Sequence, residues 1–248
     1  MTLNPQILAD AIYLEIISFT PSTYPPNSPE RRKWEKHPWA KRAPGWIAYA
    51  FLGNGSLTLD ERISAFINHR AEREGSTVRY LAEESGGRTR QDGVHLEWLI
   101  STPQDQEWGI LPFFCGDVTP RDLRVPRNHM EHPSGAAGIA YVKVLADESS
   151  LQASAKQLTT VIGSVPKQIS ETRIVWDLLS PNSRVTKLIL AAPSDDEETL
   201  FVEETGAGAI YEIGIAAAHR EGTVKTPYGR LAWIRSEMPA VNAVTRVP

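Results

Sequence analysis

The sequence predicts an α+β fold assembled from serial β-α-β-β-β modules, and three observations carry that reading. Between residues 46 and 118, apolar β-branched segments and one helical stripe follow one another in the order β-α-β-β-β. The same order returns between residues 138 and 218. The two stretches also open alike, on Ile47-Ala48-Tyr49 and Ile139-Ala140-Tyr141, and their helical stripes begin at the same offset, at Leu59 and Leu151.

Taken in chain order, residues 11–19 (AIYLEIISF) predict a buried strand, because β-branched and apolar side chains dominate them. That strand stands where the last strand of a module belongs, so residues 1–19 read as the end of a first, incomplete module, with the chain truncated ahead of it. Across residues 20–45, Pro21, Pro25, Pro26, Pro29, Pro38 and Pro44 fix φ and withdraw donors, which predicts a long loop. Trp34 and Trp39 favour a loop that packs on something. Residues 46–52 (WIAYAFL) predict a strand. Thr58-Leu59-Asp60-Glu61 is a capping box opening a helix whose apolar face is Leu59, Ile63, Phe66 and Ile67, with Gly75 as its stop. Strands are expected at 78–82, 94–101 and 110–115, with Gly86-Gly87 and Asp92-Gly93 supplying turns. A linker over 119–137 leads to the second copy. Its elements are a strand at 139–145, a helix carrying Leu151, Leu158, Val161 and Ile162 and ending at Gly163, and strands at 173–179, 185–191 and 210–216. Pro181-Asn182 and the acidic run 194–198 mark turns there. Residues 219–248 form an extension with one final strand near 228–234.

Composition narrows the function classes. The 248 residues include 26 basic and 30 acidic side chains, a formal net charge of −4 that argues against nucleic acid as a partner. No apolar run approaches the roughly 20 residues a membrane helix needs, so no membrane partner is expected. The single cysteine, Cys115, excludes an intramolecular disulfide and fits a reducing compartment. The first twenty residues hold Asp10 and Glu15 and no basic leader, which points to a cytoplasmic protein. Phosphate-loop, dinucleotide, nucleophile-elbow and zincin signatures are absent from the sequence.

Five short motifs occur in a telling order: Tyr13-Leu14-Glu15-Ile16-Ile17; Gly45-Trp46-Ile47; residues 88–93 (RTRQDG) leading into His95-Leu96-Glu97-Trp98; Leu111-Pro112-Phe113-Phe114; and His132-Pro133-Ser134-Gly135-Ala136. In this order, over residues 8–145, the chain resembles the glyoxalase-like domain proteins of the vicinal-oxygen-chelate superfamily, which includes glyoxalase I and extradiol dioxygenases. A weaker module-level likeness continues to residue 218. The resemblance implies curled mixed sheets in which paired modules form a cup around a small-molecule substrate. It also implies a divalent metal, held by His, Gln or Glu from first and last strands and acting as a Lewis acid on vicinal oxygens. The function implied is a lyase, isomerase or dioxygenase acting on an oxygenated substrate. The alternative is a metal-free protein of the same fold that binds or sequesters a small molecule.

On that resemblance Glu15 takes the place of the last-strand carboxylate, as metal ligand or general base. Its apolar neighbours make an unpaired carboxylate costly, and the plainer reading is a carboxylate facing a solvated cup and paired with an arginine. The rest of the ligand set is missing: residues 46–52 offer no His, Gln or Glu, and 110–115 present Phe113, Phe114 and Cys115. His95 and Glu97, two apart on a strand, share a face opposite Leu96 and Trp98. They are expected either to assist catalysis or to be ordinary solvent-facing residues. Trp46, Arg90 and Phe113 lie in the motifs that carry the resemblance and are assigned to substrate binding. His129 and His132, three apart, have metal spacing, but Pro133 favours extended backbone there. Cys115 reads as a small core residue. Glu212 echoes Glu15 in context, yet stands one residue rather than two after its tyrosine, which under strand alternation would aim it at the opposite face. Completion of the short first module by a second copy would make a homodimer.

Overall fold

The computed structural model describes residues 13–17, 24–58, 61–104, 109–125, 133–179, 185–227 and 229–235. The proline-rich stretch is not a bare loop. Helix α1 (Pro29–Glu35) starts with proline at its first position, where the missing N–H costs nothing, and Ser28 Oγ accepts from Arg31 N at 3.0 Å. A 3-10 turn follows at Pro38–Lys41, with His37 Nδ1 accepting from Trp39 N at 3.2 Å.

Strands β1 (Ala50–Leu52), β2 (Glu84–Thr89), β3 (His95–Ser101) and β4 (Phe113–Asp117) form a four-stranded sheet in the order β1-β4-β3-β2. Strand β1 is parallel to β4, and the other pairs are antiparallel. Helix α2 (Ile63–Glu74) makes the crossover and ends on Gly75 in the left-handed region, φ 63°. Its start is later than the capping box predicts. Arg62 is the N-cap and makes no side-chain cap bond, whereas Glu83, nineteen residues on, accepts from Ser64 N at 3.0 Å. Glu61 is engaged instead by Ser56 Oγ at 2.6 Å. Leu59 and Asp60 lie outside the described residues.

The strand expected at 78–82 reduces to one bridge, Tyr80 to Pro103, and the ladder forms at β2 instead, with Gly86 and Gly87 inside it rather than in a turn. The cause is steric. A Cβ on Gly86 would stand 2.3 Å from Trp98 Nε1, so the glycine makes room for the indole across the ladder. Of the strand expected at 11–19, residues 11–12 and 18–19 lie outside the described residues; residues 13–17 make no ladder pairs, Leu14 packs on the core, and Ile16 and Ile17 are exposed.

A second module repeats the first. Strands β5 (Ala136–Leu145), β6 (Gln168–Ile169), β7 (Arg173–Leu179) and β8 (Val185–Ala191), with helix α4 (Glu148–Ile162), run in the order β5-β8-β7-β6, and β5 is parallel to β8. Strand β9 (Ala209–Ala217) was expected to close this module. Instead β8 occupies the last-strand position, and β9 lies antiparallel on the other side of β5. With β10 (Gly222–Thr226) and β11 (Gly229–Arg235), β9 continues the sheet in the order β9-β11-β10. The acidic run 194–198 is not a turn but the start of helix α5 (Asp196–Thr205). Asp195 caps it by accepting from Glu198 N at 2.8 Å, and Glu198 accepts in return from Ser194 N at 3.0 Å.

One apolar cluster runs through both sheets and both crossover helices, joining Ile67, Ala71 and Phe114 to Val144, Leu158, Leu188 and Ile215. Arg70 on α2 donates to the last-turn carbonyl of Thr160 on α4 at 2.8 Å, and Thr160 Oγ1 donates to Glu74 at 2.7 Å. The fold is thus mixed α+β with two mixed sheets, as expected. No described helix is long and apolar enough to cross a membrane.

Candidate functional site

Strand alternation gives the first sheet two chemically distinct faces. Phe114, Gly116 and Leu99 join Ile63 of α2 around one small cavity, so they define the helix side. Phe113, Cys115 and Asp117 on β4, with Trp98 and Ile100 opposite them on β3, look the other way. Helix α3 (Arg121–Arg124) follows β4 after a short turn and folds back over that second face.

The contacts made there are dense. Asp117 is gripped by two guanidiniums, Arg121 Nη1 to Oδ2 at 2.7 Å and Arg124 Nε to Oδ1 at 2.7 Å. Arg124 Nη1 donates to Cys115 Sγ at 3.2 Å. The same guanidinium lies 5.9 Å from the ring centroid of Tyr13 and 5.9 Å from that of Trp98. Burial pushes the Cys115 thiol above the ordinary thiol range, and the Arg124 charge only partly reverses this. Burial likewise raises the Tyr13 phenol, opposed by Arg124 and reinforced by Glu15 and Cys115. At neutral pH the cluster therefore holds two cations, one carboxylate, a protonated thiol and a protonated phenol.

That donor set does not fit a divalent metal. Both Asp117 oxygens are taken by arginines, the thiol is protonated, and a cation placed here would face two guanidiniums. Nor does any group of three or more His, Cys, Asp or Glu among the described residues converge as a metal site.

The candidates from the sequence scatter around this cluster. Glu15 is exposed on the 13–17 segment, and its charge reaches Tyr13. Phe113 shares the cluster face, its ring 6.3 Å from Trp39. Arg90 donates to Leu123 O at 2.8 Å and pairs with Asp92, so it ties the β2–β3 turn to α3. Trp46 lies at the junction of the two sheets, where Nε1 donates to Arg230 O at 3.3 Å. His95 and Glu97 approach each other at 3.4 Å, but with 59% and 52% of their side chains exposed they sit on the helix-side face, away from Arg124. His129 and His132 lie outside the described residues. Sequence reasoning passed over Tyr13, Trp98, Asp117, Arg121 and Arg124. The usable signal was Asp117 followed by arginines four and seven residues later, within what reads as a linker.

Glu212 is buried on the second sheet, accepting from Tyr141 O–H and from Arg230 Nε at 2.6 Å. The simple parity argument fails for it. A bulge pairs Lys143 with Glu212 but Val144 with Ile210, and both Tyr211 and Glu212 reach Arg230.

A solved structure of a hypothetical protein from Staphylococcus aureus superposes with a TM-score of 0.59 at 11% identity, over 85% of this chain and 79% of that one. Methylmalonyl-CoA epimerase from Mycobacterium tuberculosis is matched at 13% identity and a TM-score of 0.32, over 44% of this chain and 95% of that one. No curated protein matches the sequence. The family model described as glyoxalase-like domain matches residues 5–162, well over half the chain, and the chain belongs to that family.

Proposed function

We propose that this protein binds a small oxygenated anion on the α3-covered face of its first sheet, without a metal. The supporting observation is Arg124, a largely buried guanidinium 5.9 Å from the ring centroids of both Tyr13 and Trp98 and beside a neutral thiol. A guanidinium there offers a carboxylate a charge-assisted bond, and the protonated Tyr13 hydroxyl offers a donor to a neighbouring keto or hydroxy oxygen. Calorimetric titration with pyruvate and lactate tests this. Saturable binding that falls roughly tenfold or more in R124Q, the loss expected for one charge-assisted bond, supports the reading. Equal affinity in wild type and R124Q overturns it.

A catalytic reading, of lyase or isomerase type, draws on a separate observation: Glu15 is an exposed carboxylate whose charge reaches Tyr13. From there it would take a proton from a carbon acid anchored on Arg124, exchange it with water, and return a solvent proton to the enolate carbon. Deuterium incorporation into the pyruvate methyl group, followed by proton NMR, is the measurement. Exchange above the uncatalysed rate that disappears in E15Q supports catalysis. Exchange at the uncatalysed rate overturns it and leaves the binding function alone.

A further inference from the structure

The second sheet also has two faces. Val144, Leu188 and Ile213 join Leu151 and Leu158 of α4 on one of them. Leu145, Val175, Ile189, Ala191 and Tyr211 lie on the other, under Phe201 and Val202 of α5. On this α5 side the polar groups form a connected set. Arg230 Nε bonds Glu212 at 2.6 Å, Tyr141 O–H donates to the second Glu212 oxygen, and Lys143 and Arg230 lie 5.4 and 5.7 Å from the Tyr211 ring centroid. Among the described residues, Lys143 and Arg230 thus stand with the Glu212 carboxylate and the phenols of Tyr141 and Tyr211.

Further negative charge comes from α5. Glu198, whose side chain is only 5% exposed, pairs with Lys143, and its neighbour Glu197 reaches Arg230 Nη1 at 3.0 Å. Two consecutive residues thus deliver two carboxylates to two cations that share one aromatic ring. The apolar anchorage of α5 is partial. Phe201 and Val202 are only partly buried, Leu200 is 53% exposed, and Glu198 is the buried residue of the helix. Besides the packing of Phe201 on Tyr211, the helix is held by these two carboxylate contacts.

We propose that the α5 side of the second sheet is a further binding site, for a small dicarboxylate, which Glu197 and Glu198 fill in cis. A dicarboxylate that reproduces the two carboxylate contacts on Lys143 and Arg230 competes with the helix, and binding lifts α5 from the sheet. The self-occupied state lowers the apparent affinity by the fraction of time the helix is away.

Succinate is the probe, with calorimetry for binding and hydrogen exchange of the α5 amides for displacement. Succinate is expected to bind the wild type saturably and to speed α5 exchange roughly tenfold, an ordinary size for coupling between two competing groups. E197Q/E198Q is expected to bind succinate more tightly than wild type, and R230Q to lose it. Because E198Q leaves Lys143 without its carboxylate, E197Q alone serves as the milder variant, with a smaller gain in the same direction. Failure of succinate to bind wild type, E197Q and E197Q/E198Q overturns the proposal. So does binding that leaves α5 exchange unchanged, or binding that survives R230Q and is lost in R124Q, which would locate it on the first sheet.

Discussion

Cys115 and Arg124 show how two side chains set each other's chemistry. Burial holds the thiol protonated, and the guanidinium at 3.2 Å pulls against burial without overcoming it. Iodoacetamide modification should therefore reach its half-maximal rate at a pH above that of a free thiol, and R124Q should move that midpoint further up. A midpoint at or below the free-thiol value contradicts this. The linkage sign follows. A thiol whose folded pKa is raised favours the folded state below the ordinary thiol pKa, and this contribution fades as pH climbs through the raised value. Little of this cluster was legible in the sequence. Cys115 reads from the sequence as a small core residue, whereas it is half-buried, outside the apolar clusters and bonded by Arg124. Its neighbours were not foreseen, because Asp117, Arg121 and Arg124 meet only after the chain turns into α3, and Tyr13 arrives from about a hundred residues upstream.

At the scale of elements, glycines mark where backbone passes close to backbone. A Cβ on Gly116 would stand 2.3 Å from Gly55 N and 2.9 Å from Gly53 C, and neither backbone segment can swing aside. G116A should cost roughly 1–3 kcal/mol in urea unfolding, the usual size of an overpacking penalty. At Gly75 nothing lies within 4 Å of the added carbon, and only the positive φ resists a side chain. G75A should cost about 1 kcal/mol, less than G116A. An inverted ranking would refute the steric account. Helix ends were easy to read because Gly75 and Gly163 stop α2 and α4 by their own conformational freedom, and β7 and β8 fall at their expected bounds. Helix starts were harder. The N-terminus of α2 is satisfied by Glu83, a partner no local motif reveals, and α5 hid within an acidic run that reads equally as a turn. Gly86-Gly87 carried a strong turn signal, and only the Trp98 indole across the ladder shows why they belong in a strand.

For the whole molecule, the repeat was the most legible feature, since Ile47-Ala48-Tyr49 and Ile139-Ala140-Tyr141 precede two crossover helices and the same four-strand order in each sheet. The pairing of β9 with β5 was not legible, because a two-residue β6 displaced the strand count by one. A single apolar cluster threads both sheets, so the two modules should unfold together. Tryptophan fluorescence and far-ultraviolet dichroism are expected to give coincident urea transitions, and two separated transitions would show independent modules. R70A removes the donor that α2 lends to the end of α4, and it should lower stability by roughly 1–3 kcal/mol while keeping the transitions coincident.

The bond from Trp46 Nε1 to the carbonyl of Arg230 spans 184 positions of sequence. On a translating ribosome its acceptor is made long after its donor has left the exit tunnel. The seam between the two sheets must therefore wait, open, through most of synthesis, while local hairpins such as β2–β3 can already have formed. Trp46 and the faces beside it are the surfaces a chaperone would meet during that interval, and β11 is the stitch that withdraws them.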